Sequence, residues 1–377
     1  MASFKKQNTG WEYRLRYKDI MTGKFREKSG RGFATKKEAQ DAVALFERKL
    51  QQGYEHTAIP LVDYLEAYIK EFKDGSVRKN TMLSYRYAID SHIKPHFQNL
   101  LIFDLKPIMY QKFLNALVEQ DFSKGTIEIV NSLIYSAMER AVIQGKIERN
   151  PCKGSVVRGK SKVGNIKFIE SDDISTFLRA AKQDDYIYYI FYKVLIETGM
   201  RKGEAAALQW TDIDMKDYTI SINKTLDFTS TDPEEMMGDP KTFNSKRIIS
   251  MSQSLANDLK FQKNLQNEHK LAFTDLYQHD LNLVLCRTDG SPLPKSSLFN
   301  SFRRILKRAK LTNMPIHSLR HTHAVLLLEA GADMKYVQER LGHGSMQITA
   351  DVYAHVSKKL QSVNMERYEN LIKDKFL

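Results

Sequence analysis

The sequence predicts a multidomain, mainly α-helical protein with a small three-stranded sheet plus helix, then a four-helix bundle, then a larger α+β domain. A chain of 377 residues is too long for one ordinary hydrophobic core. Residues 11–18 alternate strictly between apolar and charged side chains, whereas residues 60–144 repeat their apolar side chains with a helical period. We therefore divide the chain into residues 1–57, 58–158 and 159–377.

The N-terminal segment has the pattern of a half-buried sheet. In WEYRLRYK (11–18) the apolar side chains fall on one face and the charged ones on the other. DIMTG (19–23) is typical of a turn, and KFREK (24–28) of a return strand. A third short strand is expected around Gly32 and Phe33, before a helix that begins with the capping pair Thr35 and Glu38. We expect the outward face to carry five basic residues: Arg14, Arg16, Lys24, Arg26 and Lys28.

The middle segment is predicted to form four amphipathic helices. Their apolar faces repeat at helical spacing over residues 60–72, 80–93, 104–120 and 125–144. The tract KGSVVRGKSKVG (153–164) then contains three glycines and no acidic residue. We interpret it as a flexible basic linker, in which Arg158 and Lys160 are suited to lie along a phosphate backbone.

The charge is strongly asymmetric along the chain. The net charge is +13, of which +10 falls in the first 160 residues. A basic N-terminal part favours a polyanionic partner such as nucleic acid, and a small sheet of this kind can enter the major groove of DNA. A merely solvated strand face is the alternative interpretation.

The composition also restricts the compartment. No apolar run approaches the roughly 18 residues that a membrane helix requires, and the N-terminus lacks the apolar region of a secretory signal. Cys152 and Cys286 are far apart and form no CxxC pair. We expect a cytoplasmic protein with free thiols and no membrane partner.

The C-terminal segment contains the residues best suited to chemistry. TISINKTL (219–226) and SKRIISMS (245–252) are predicted strands around a long loop, and most of the remainder is helical. Arg201 and Glu204 are three residues apart, as are His317 and Arg320. Two such arginines could hold phosphate oxygens while a tyrosine hydroxyl attacks in line. Metal binding by His317 and His321 is the weaker alternative, because no carboxylate or cysteine ligand lies near them in the sequence.

Four motifs in order resemble those of the tyrosine recombinases, and most closely those of integrases from temperate phages and conjugative transposons. The resemblance extends over essentially the whole chain. It implies an arm-type DNA-binding domain (1–57), a core-binding, SAM-like helical domain (58–158) and a catalytic tyrosine recombinase domain (159–377). The motifs are TGMRKGEAAAL (198–208), PKTFNSKR (240–247), HSLRHTHA (317–324) and LGHGSMQITADVYAHV (341–356).

The resemblance implies a role for each matching residue. Arg201, His317, Arg320 and His343 would surround the scissile phosphate, with Glu204 supporting Arg201. Tyr353 would be the nucleophile that forms a 3′-phosphotyrosine and frees a 5′ hydroxyl. Lys241 would protonate the leaving 5′ oxygen, although Lys224 and Lys246 compete for this role. No metal, nucleotide or other cofactor would take part.

The same resemblance implies partners and a biological role. The protein would integrate and excise a mobile element or prophage in the cytoplasm of its bacterial host. It would act as a homotetramer on double-stranded DNA with core-type and arm-type attachment sites, helped by a DNA-bending protein and an excisionase. The tail at residues 357–377 would dock on a neighbouring protomer or on its own core. A type IB topoisomerase-like enzyme and a non-catalytic DNA-binding regulator are the competing functions.

Overall fold

The computed structural model describes residues 2–18, 25–51, 58–160, 166–230, 232–239 and 246–342, together with residues 365, 368, 369, 372 and 373. The chain divides into two compact units, Met1–Val163 and Gly164–Leu377. Among the described helices, none is both long and apolar enough to cross a membrane.

The N-terminal sheet has three antiparallel strands, β1 (Ala2–Gln7), β2 (Gly10–Lys18) and β3 (Phe25–Phe33), in the order β1-β2-β3. Helix α1 (Lys36–Gln51) covers one face, where the buried side chains of Tyr13 and Leu15 meet Val43 and Phe46. The predicted architecture of three strands and one helix is therefore confirmed.

The identity of two strands differs from the prediction. The first strand is β1, which is not apparent from the sequence because most of its residues are polar and exposed. The short strand expected at Gly32 and Phe33 is the end of β3. There the pairing register between β2 and β3 shifts, and Gly32 adopts a φ of 85°. Gly32 is accommodated in this β-bulge, so β3 continues through a position where the sequence indicated a break between two strands.

The pairing register also corrects the predicted basic face. Arg14 lies opposite Ser29 and Arg16 opposite Glu27, whereas Arg26 lies opposite Tyr17 and Lys28 opposite Leu15. Directly opposed residues share a face, so Arg26 and Lys28 lie on the side of the sheet that α1 covers. Lys28 Nζ is 6.0 Å from the centre of the Phe46 ring. The expectation that both share the outward face with Arg14 and Arg16 is wrong, because a one-residue change of register exchanges the faces of a strand.

The helical bundle follows from residue 61. Its helices are α2 (Leu61–Phe72), α3 (Lys79–Ala88), α4 (Lys94–Phe97), α5 (Pro107–Glu119) and α6 (Lys124–Ile143). A π-helical turn, Ile89–Ile93, joins α3 to α4, so the chain forms one continuous helix up to Phe97. Pro95 lacks the N–H group that the regular ladder would need at this point. The expected four-helix bundle is present, and its second predicted helix continues for one turn past residue 93.

The basic tract after the bundle is not a flexible linker over residues 153–160. The Val156 N–H donates to Gln111 Oε1 at 2.9 Å, and Gln111 Nε2 donates back to the Val156 carbonyl at 3.0 Å. Val157 packs against the core of the bundle, and the Lys124 N–H donates to the Lys160 carbonyl. The apolar contact of Val157 and the backbone hydrogen bonds of Val156 and Lys160 therefore hold this tract against the bundle. Residues 161–165 lie outside the described residues.

The second unit surrounds the largely buried helix α8 (Tyr186–Thr198). The strands β4 (Ile213–Asp214), β5 (Thr219–Ile222) and β8 (Arg247–Ser250) form one antiparallel sheet, and β6 (Thr225–Leu226) pairs with β7 (Met237–Gly238). The helices are α7 (Ile174–Asp184), α9 (Lys202–Ala206), α10 (Pro233–Met236), α11 (Gln253–Phe273), α12 (Lys295–Arg308), α13 (Ser318–Glu329) and α14 (Met334–Leu341). This α+β arrangement confirms the predicted class of the domain.

Candidate active site

Arg201 and Glu204 are held together at the junction of α8 and α9. Helix α8 ends at Gly199, which adopts the left-handed conformation with a φ of 65°. Arg201 then precedes the first turn of α9 in an extended conformation. Glu204 Oε2 accepts the Arg201 backbone N–H at 3.0 Å, and Glu204 Oε1 accepts a hydrogen bond from Arg201 Nη1 at 2.7 Å. The predicted pairing at three-residue spacing is present, and both ends of the arginine are fixed by one carboxylate.

His317 and Arg320 lie at the start of α13. His317 is the residue before the first turn and is exposed, whereas Arg320 is 1% exposed within the helix. Arg320 Nη1 donates to the Gly199 carbonyl at 2.7 Å, which joins α13 to the end of α8. The His317 ring meets the His321 ring edge to face, with centroids 5.1 Å apart. The two predicted arginine motifs therefore converge at Gly199.

The C-terminal end of α14 receives three guanidinium groups on three consecutive carbonyls. Arg247 Nε donates to the Arg340 carbonyl at 2.8 Å, and Arg320 Nη2 donates to the Leu341 carbonyl. Arg201 Nη2 donates to the Gly342 carbonyl at 3.3 Å. The last carbonyls of a helix have no partner within the helix and carry partial negative charge, so this end of α14 attracts cations.

Arg247 is a component of this site that is not among the residues predicted from the sequence. It begins β8, its side chain is 7% exposed, and its Nη2 donates to Glu204 Oε2 at 3.0 Å. A signal was available in SKRIISMS, because Arg247 and Ile249 alternate onto the same strand face and Ile249 is buried. An arginine on the apolar face of a strand requires a buried partner.

Among the described residues, three arginines gather around the carboxylate of Glu204. Arg201, Arg247 and Arg320 interact with one carboxylate, that of Glu204, which is 3% exposed. Burial alone would raise the pKa of Glu204, but the neighbouring Arg247 and Arg201 hold it below its usual range. Burial and the charge of Arg201 lower the pKa of Arg320 to about 9. Such a gathering of positive charge is stabilised by a bound anion, and planar guanidinium groups are suited to phosphate oxygens.

His317 lies at the exposed side of this cluster. Crowding by the surrounding protein, followed by the charges of His321, Arg320 and Arg201, lowers its pKa below the usual range. The imidazole is therefore neutral near pH 7, and it has one N–H donor and one acceptor nitrogen to offer a ligand.

His323 and Arg340 form a support behind the arginine cluster. His323 is buried, its Nδ1 contacts the Ile196 carbonyl at 2.8 Å, and its Nε2 accepts from Arg340 Nε at 3.0 Å. Because Nε2 accepts, Nδ1 carries the proton. Arg340 Nη2 also donates to the Ser250 carbonyl at 2.8 Å, which fastens α14 to the end of β8. These contacts give His323 a structural role.

The three candidate lysines differ in their surroundings. Lys224 Nζ lies 2.5 Å from Gln209 Oε1 and 3.0 Å from the buried carboxylate of Asp212. Lys246 forms an exposed pair with Asp239 at 2.8 Å. Lys241 lies outside the described residues. The contacts of Lys224 are those of a structural ion pair.

Several nominated residues have no described position. Lys24, Lys241, His343 and Tyr353 lie outside the described residues, as does most of the tail at 357–377. Within the described residues, no group of three or more histidine, cysteine, aspartate or glutamate side chains is arranged to hold a metal ion.

The outward face of the N-terminal sheet has its own network. The buried Glu12 carboxylate accepts from Arg14 Nε at 3.3 Å and Gln7 Nε2 at 2.9 Å, and it pairs with Arg31 at 3.4 Å. Arg16 stacks over the exposed Phe25 ring at 4.6 Å. The basic side chains of this face are thus held in place and remain accessible.

The nominated residues of the basic tract lie at the surface of the bundle. Arg158 is exposed, and Lys160 Nζ forms a 2.7 Å pair with Asp121. An exposed pair of this kind is weak, so the lysine is free to exchange its carboxylate for a phosphate.

Comparison with known proteins identifies the family. The model of the phage integrase family matches residues 167–359, just over half of the chain. The chain belongs to the phage integrase family. The phage integrase N-terminal SAM-like domain matches residues 61–118, and an arm DNA-binding domain matches residues 3–50. This family member is a site-specific DNA recombinase of the tyrosine type that acts in the integration of a mobile element.

Curated relatives cover most of the chain. The integrase of Staphylococcus phage L54a is 33% identical over 335 residues, which cover 83% of this chain and 92% of the relative. The ICEBs1 integrase of Bacillus subtilis is 28% identical and covers 90% of this chain and 91% of the relative. A XerC-like tyrosine recombinase of Caldanaerobacter subterraneus is 28% identical over 89% of this chain and 90% of the relative. None of these relatives supports the topoisomerase or regulator alternatives.

Solved structures show the same fold. The Tn1549 transposon integrase in complex with transposon right end DNA has a TM-score of 0.67 at 20% identity, covering 82% of this chain and 99% of that one. A lambda integrase tetramer bound to a Holliday junction has a TM-score of 0.59 at 18% identity, covering 93% and 94%.

Proposed function

We propose that this recombinase cleaves and rejoins DNA through a 3′-phosphotyrosine formed by Tyr353. The observation that carries the proposal is the largely buried cluster of Arg201, Arg247 and Arg320 around the carboxylate of Glu204. Three guanidinium groups brought together in this way are suited to bind an anion, and the substrate of a recombinase is a phosphodiester.

The proposed chemistry divides between the described cluster and the segment that follows it. Arg201 and Arg320 bind the non-bridging oxygens of the scissile phosphate, and His317 donates a hydrogen bond from the exposed side. His343 and Tyr353 follow α14 in the sequence. The tyrosine hydroxyl loses its proton to solvent as its oxygen forms a bond to phosphorus. The bond to the 5′ oxygen breaks, and Lys241 supplies the proton that the leaving 5′ oxygen takes up.

Rejoining reverses the same step. A 5′ hydroxyl from the partner duplex attacks the phosphotyrosine, and the tyrosine hydroxyl is regenerated. The energy of the phosphodiester is retained in the covalent intermediate, so neither nucleotide nor metal is required. We propose that four protomers perform this exchange on core-type sites, in the cytoplasm of a bacterial host, with integration and excision of the element as the outcome.

The proposal gives each of the three segments a separate role, with the most basic one at the N-terminus. Residues 1–57 bind arm-type sites, residues 58–158 bind the core site and residues 159–377 perform the chemistry. Arg14 and Arg16 face outward from the sheet, where their charge is available to DNA. A DNA-bending protein and an excisionase complete the proposed set of partners.

A nicked attachment-site DNA tests the proposal directly. The nick lets the short 5′ fragment diffuse away, so cleavage accumulates as a covalent adduct that peptide mapping can assign. The adduct is expected on Tyr353, to form equally in EDTA, and to be absent in Tyr353→Phe while DNA affinity is retained. Adduct formation by Tyr353→Phe would refute the nucleophile, and loss of activity in EDTA would refute the metal-free chemistry.

A further inference from the structure

Arg247 connects the carboxylate of Glu204 to the end of α14 through one guanidinium group. Its Nη2 donates to Glu204 Oε2 at 3.0 Å, and its Nε donates to the Arg340 carbonyl at 2.8 Å. Glu204 in turn holds both the backbone and the guanidinium of Arg201. The chain of contacts therefore runs from Arg201 through Glu204 and Arg247 to the C-terminus of α14.

The end of α14 is also the start of the segment that carries two proposed catalytic residues. Gly342 terminates the helix with a φ of 66°, and residue 343 of the sequence is the nominated histidine. Whatever fixes the carbonyls of residues 340–342 fixes the direction in which the chain leaves the helix. Two of the three arginines on these carbonyls, Arg201 and Arg320, are the ones proposed to bind phosphate.

When the substrate binds, two of the three arginines are expected to exchange a carbonyl acceptor for phosphate, and the third is not. A phosphate oxygen competes with the Leu341 and Gly342 carbonyls for the N–H groups of Arg320 and Arg201, because each N–H donates strongly to one acceptor at a time. Arg247 is not among the residues proposed to bind phosphate, and its Nη2 is held by the Glu204 carboxylate at 3.0 Å. Its bond to the Arg340 carbonyl persists while the other two exchange partners.

From these contacts we infer that Arg247 is a positioning residue for the cleavage reaction. It holds the C-terminal end of α14, from which the chain continues to His343 and Tyr353, in a fixed position relative to Glu204 and Arg201. This inference rests on the proposed function. Arg247 does not touch the substrate; it acts through Glu204 and through the backbone of α14. The two bonds require a guanidinium fork, since a lysine ammonium is a single point charge that cannot span both acceptors with the same geometry.

Two substitutions separate the charge of Arg247 from its geometry. Arg247→Lys retains a positive charge beside Glu204 but loses the fork, whereas Arg247→Met loses both. The groups that face Glu204 are Arg247, Arg201, Arg320 and His317. Removing the first of these charges raises the pKa of Glu204, so the acid limb of the cleavage rate moves to higher pH in Arg247→Met and stays in place in Arg247→Lys.

Arg308 provides the matched control within the same unit. Its Nη1 donates to the Asp184 carboxylate at 3.3 Å and to the Ala180 carbonyl at 3.1 Å, the same combination of acceptors, between α12 and α7. Arg308→Lys and Arg308→Met therefore lose a carboxylate contact and a carbonyl contact away from the cluster, and both are expected to cleave at the wild-type rate.

The experiment measures single-turnover adduct formation on nicked attachment-site DNA, with DNA affinity and thermal unfolding measured on the same full-length proteins. Both Arg247 variants are expected to bind DNA normally and to cleave about 100-fold more slowly, the cost of a small misplacement of reacting groups. Wild-type rates in Arg247→Lys would overturn the inference. So would loss of folding in both variants, which would make Arg247 purely structural. Absence of a Tyr353 adduct in the wild type would instead refute the proposed function.

Discussion

Glu204 accepts hydrogen bonds from both the guanidinium and the backbone N–H of Arg201, at 2.7 and 3.0 Å. Because Glu204 also neutralises Arg247, we expect Glu204→Gln to leave two arginines near one another without their shared carboxylate. Removing one partner of a buried ion pair costs on the order of 3–5 kcal/mol. Adduct formation on nicked DNA is expected to fall together with the denaturant midpoint of unfolding.

Asp184→Asn is the control for this prediction. The Asp184 carboxylate also binds two arginines, Arg304 at 2.7 Å and Arg308 at 3.3 Å, but both arginines are about half exposed. They can turn to water when the carboxylate is removed, so we expect a loss of roughly 1 kcal/mol and normal cleavage. Equal cleavage by Glu204→Gln and the wild type would contradict the supporting role of Glu204.

We expect the free energy of unfolding to decrease on acidification because of His323. Burial, followed by the charge of Arg340, lowers its pKa to about 3, from an unfolded value near 6.5. Between these values the unfolded chain binds a proton that the folded chain does not, so stability falls as the pH decreases from 6.5. The slope for one proton is about 1.4 kcal/mol per pH unit.

His323→Gln isolates this contribution. Glutamine retains one donor and one acceptor but does not titrate, so the variant is expected to be less stable near neutral pH and to lose less stability down to about pH 5. Denaturant midpoints of the full-length proteins across this range provide the measurement. His92, His317 and His321 also have lowered pKa values, and their common contribution cancels between the two proteins. Parallel pH profiles would show that His323 is not the titrating group.

The sequence predicts the local geometry of the site but not its connections. The spacing of Arg201 from Glu204 fixes their pairing, because three residues make about one helical turn. The contact of Arg247 with the Arg340 carbonyl joins residues 93 positions apart. It depends on how β8 packs against α14, which no local pattern encodes. The wrong prediction for Arg26 and Lys28 has the same cause. The face on which they lie depends on how β3 pairs with β2, and a strand with so few apolar residues does not reveal that register in its sequence.

The lysine that protonates the leaving oxygen is expected to be Lys241 and not Lys224. Lys224 is already bound to Asp212 and Gln209, so Lys224→Met is expected to affect stability. Lys241→Ala is expected to slow cleavage by a factor of about 10² to 10⁴, the usual contribution of a general acid. A substrate with sulfur in place of the bridging 5′ oxygen distinguishes the two, because a thiolate leaves without a proton.

Rescue by this sulfur substrate is the decisive measurement for the lysine. Lys241→Ala is expected to regain nearly the wild-type rate on it, and Tyr353→Phe to remain inactive. Arg308→Met, remote from the arginine cluster, should cleave both substrates like the wild type. Rescue of Lys224→Met instead of Lys241→Ala would reassign the general acid to Lys224.

We expect only one face of the N-terminal sheet to bind arm-type DNA. Arg14 and Arg16 lie on the outward face, whereas Arg26 and Lys28 lie on the side covered by α1. We expect the double variant Arg14→Ala/Arg16→Ala to weaken arm-site binding and to reduce the logarithmic salt slope by about 0.9 for each phosphate that the protein no longer neutralises. The matched double variant Arg26→Ala/Lys28→Ala removes the same charge and is expected to leave both quantities nearly unchanged. Equal losses in the two variants would mean that net charge, and not the face set by the strand register, determines arm binding.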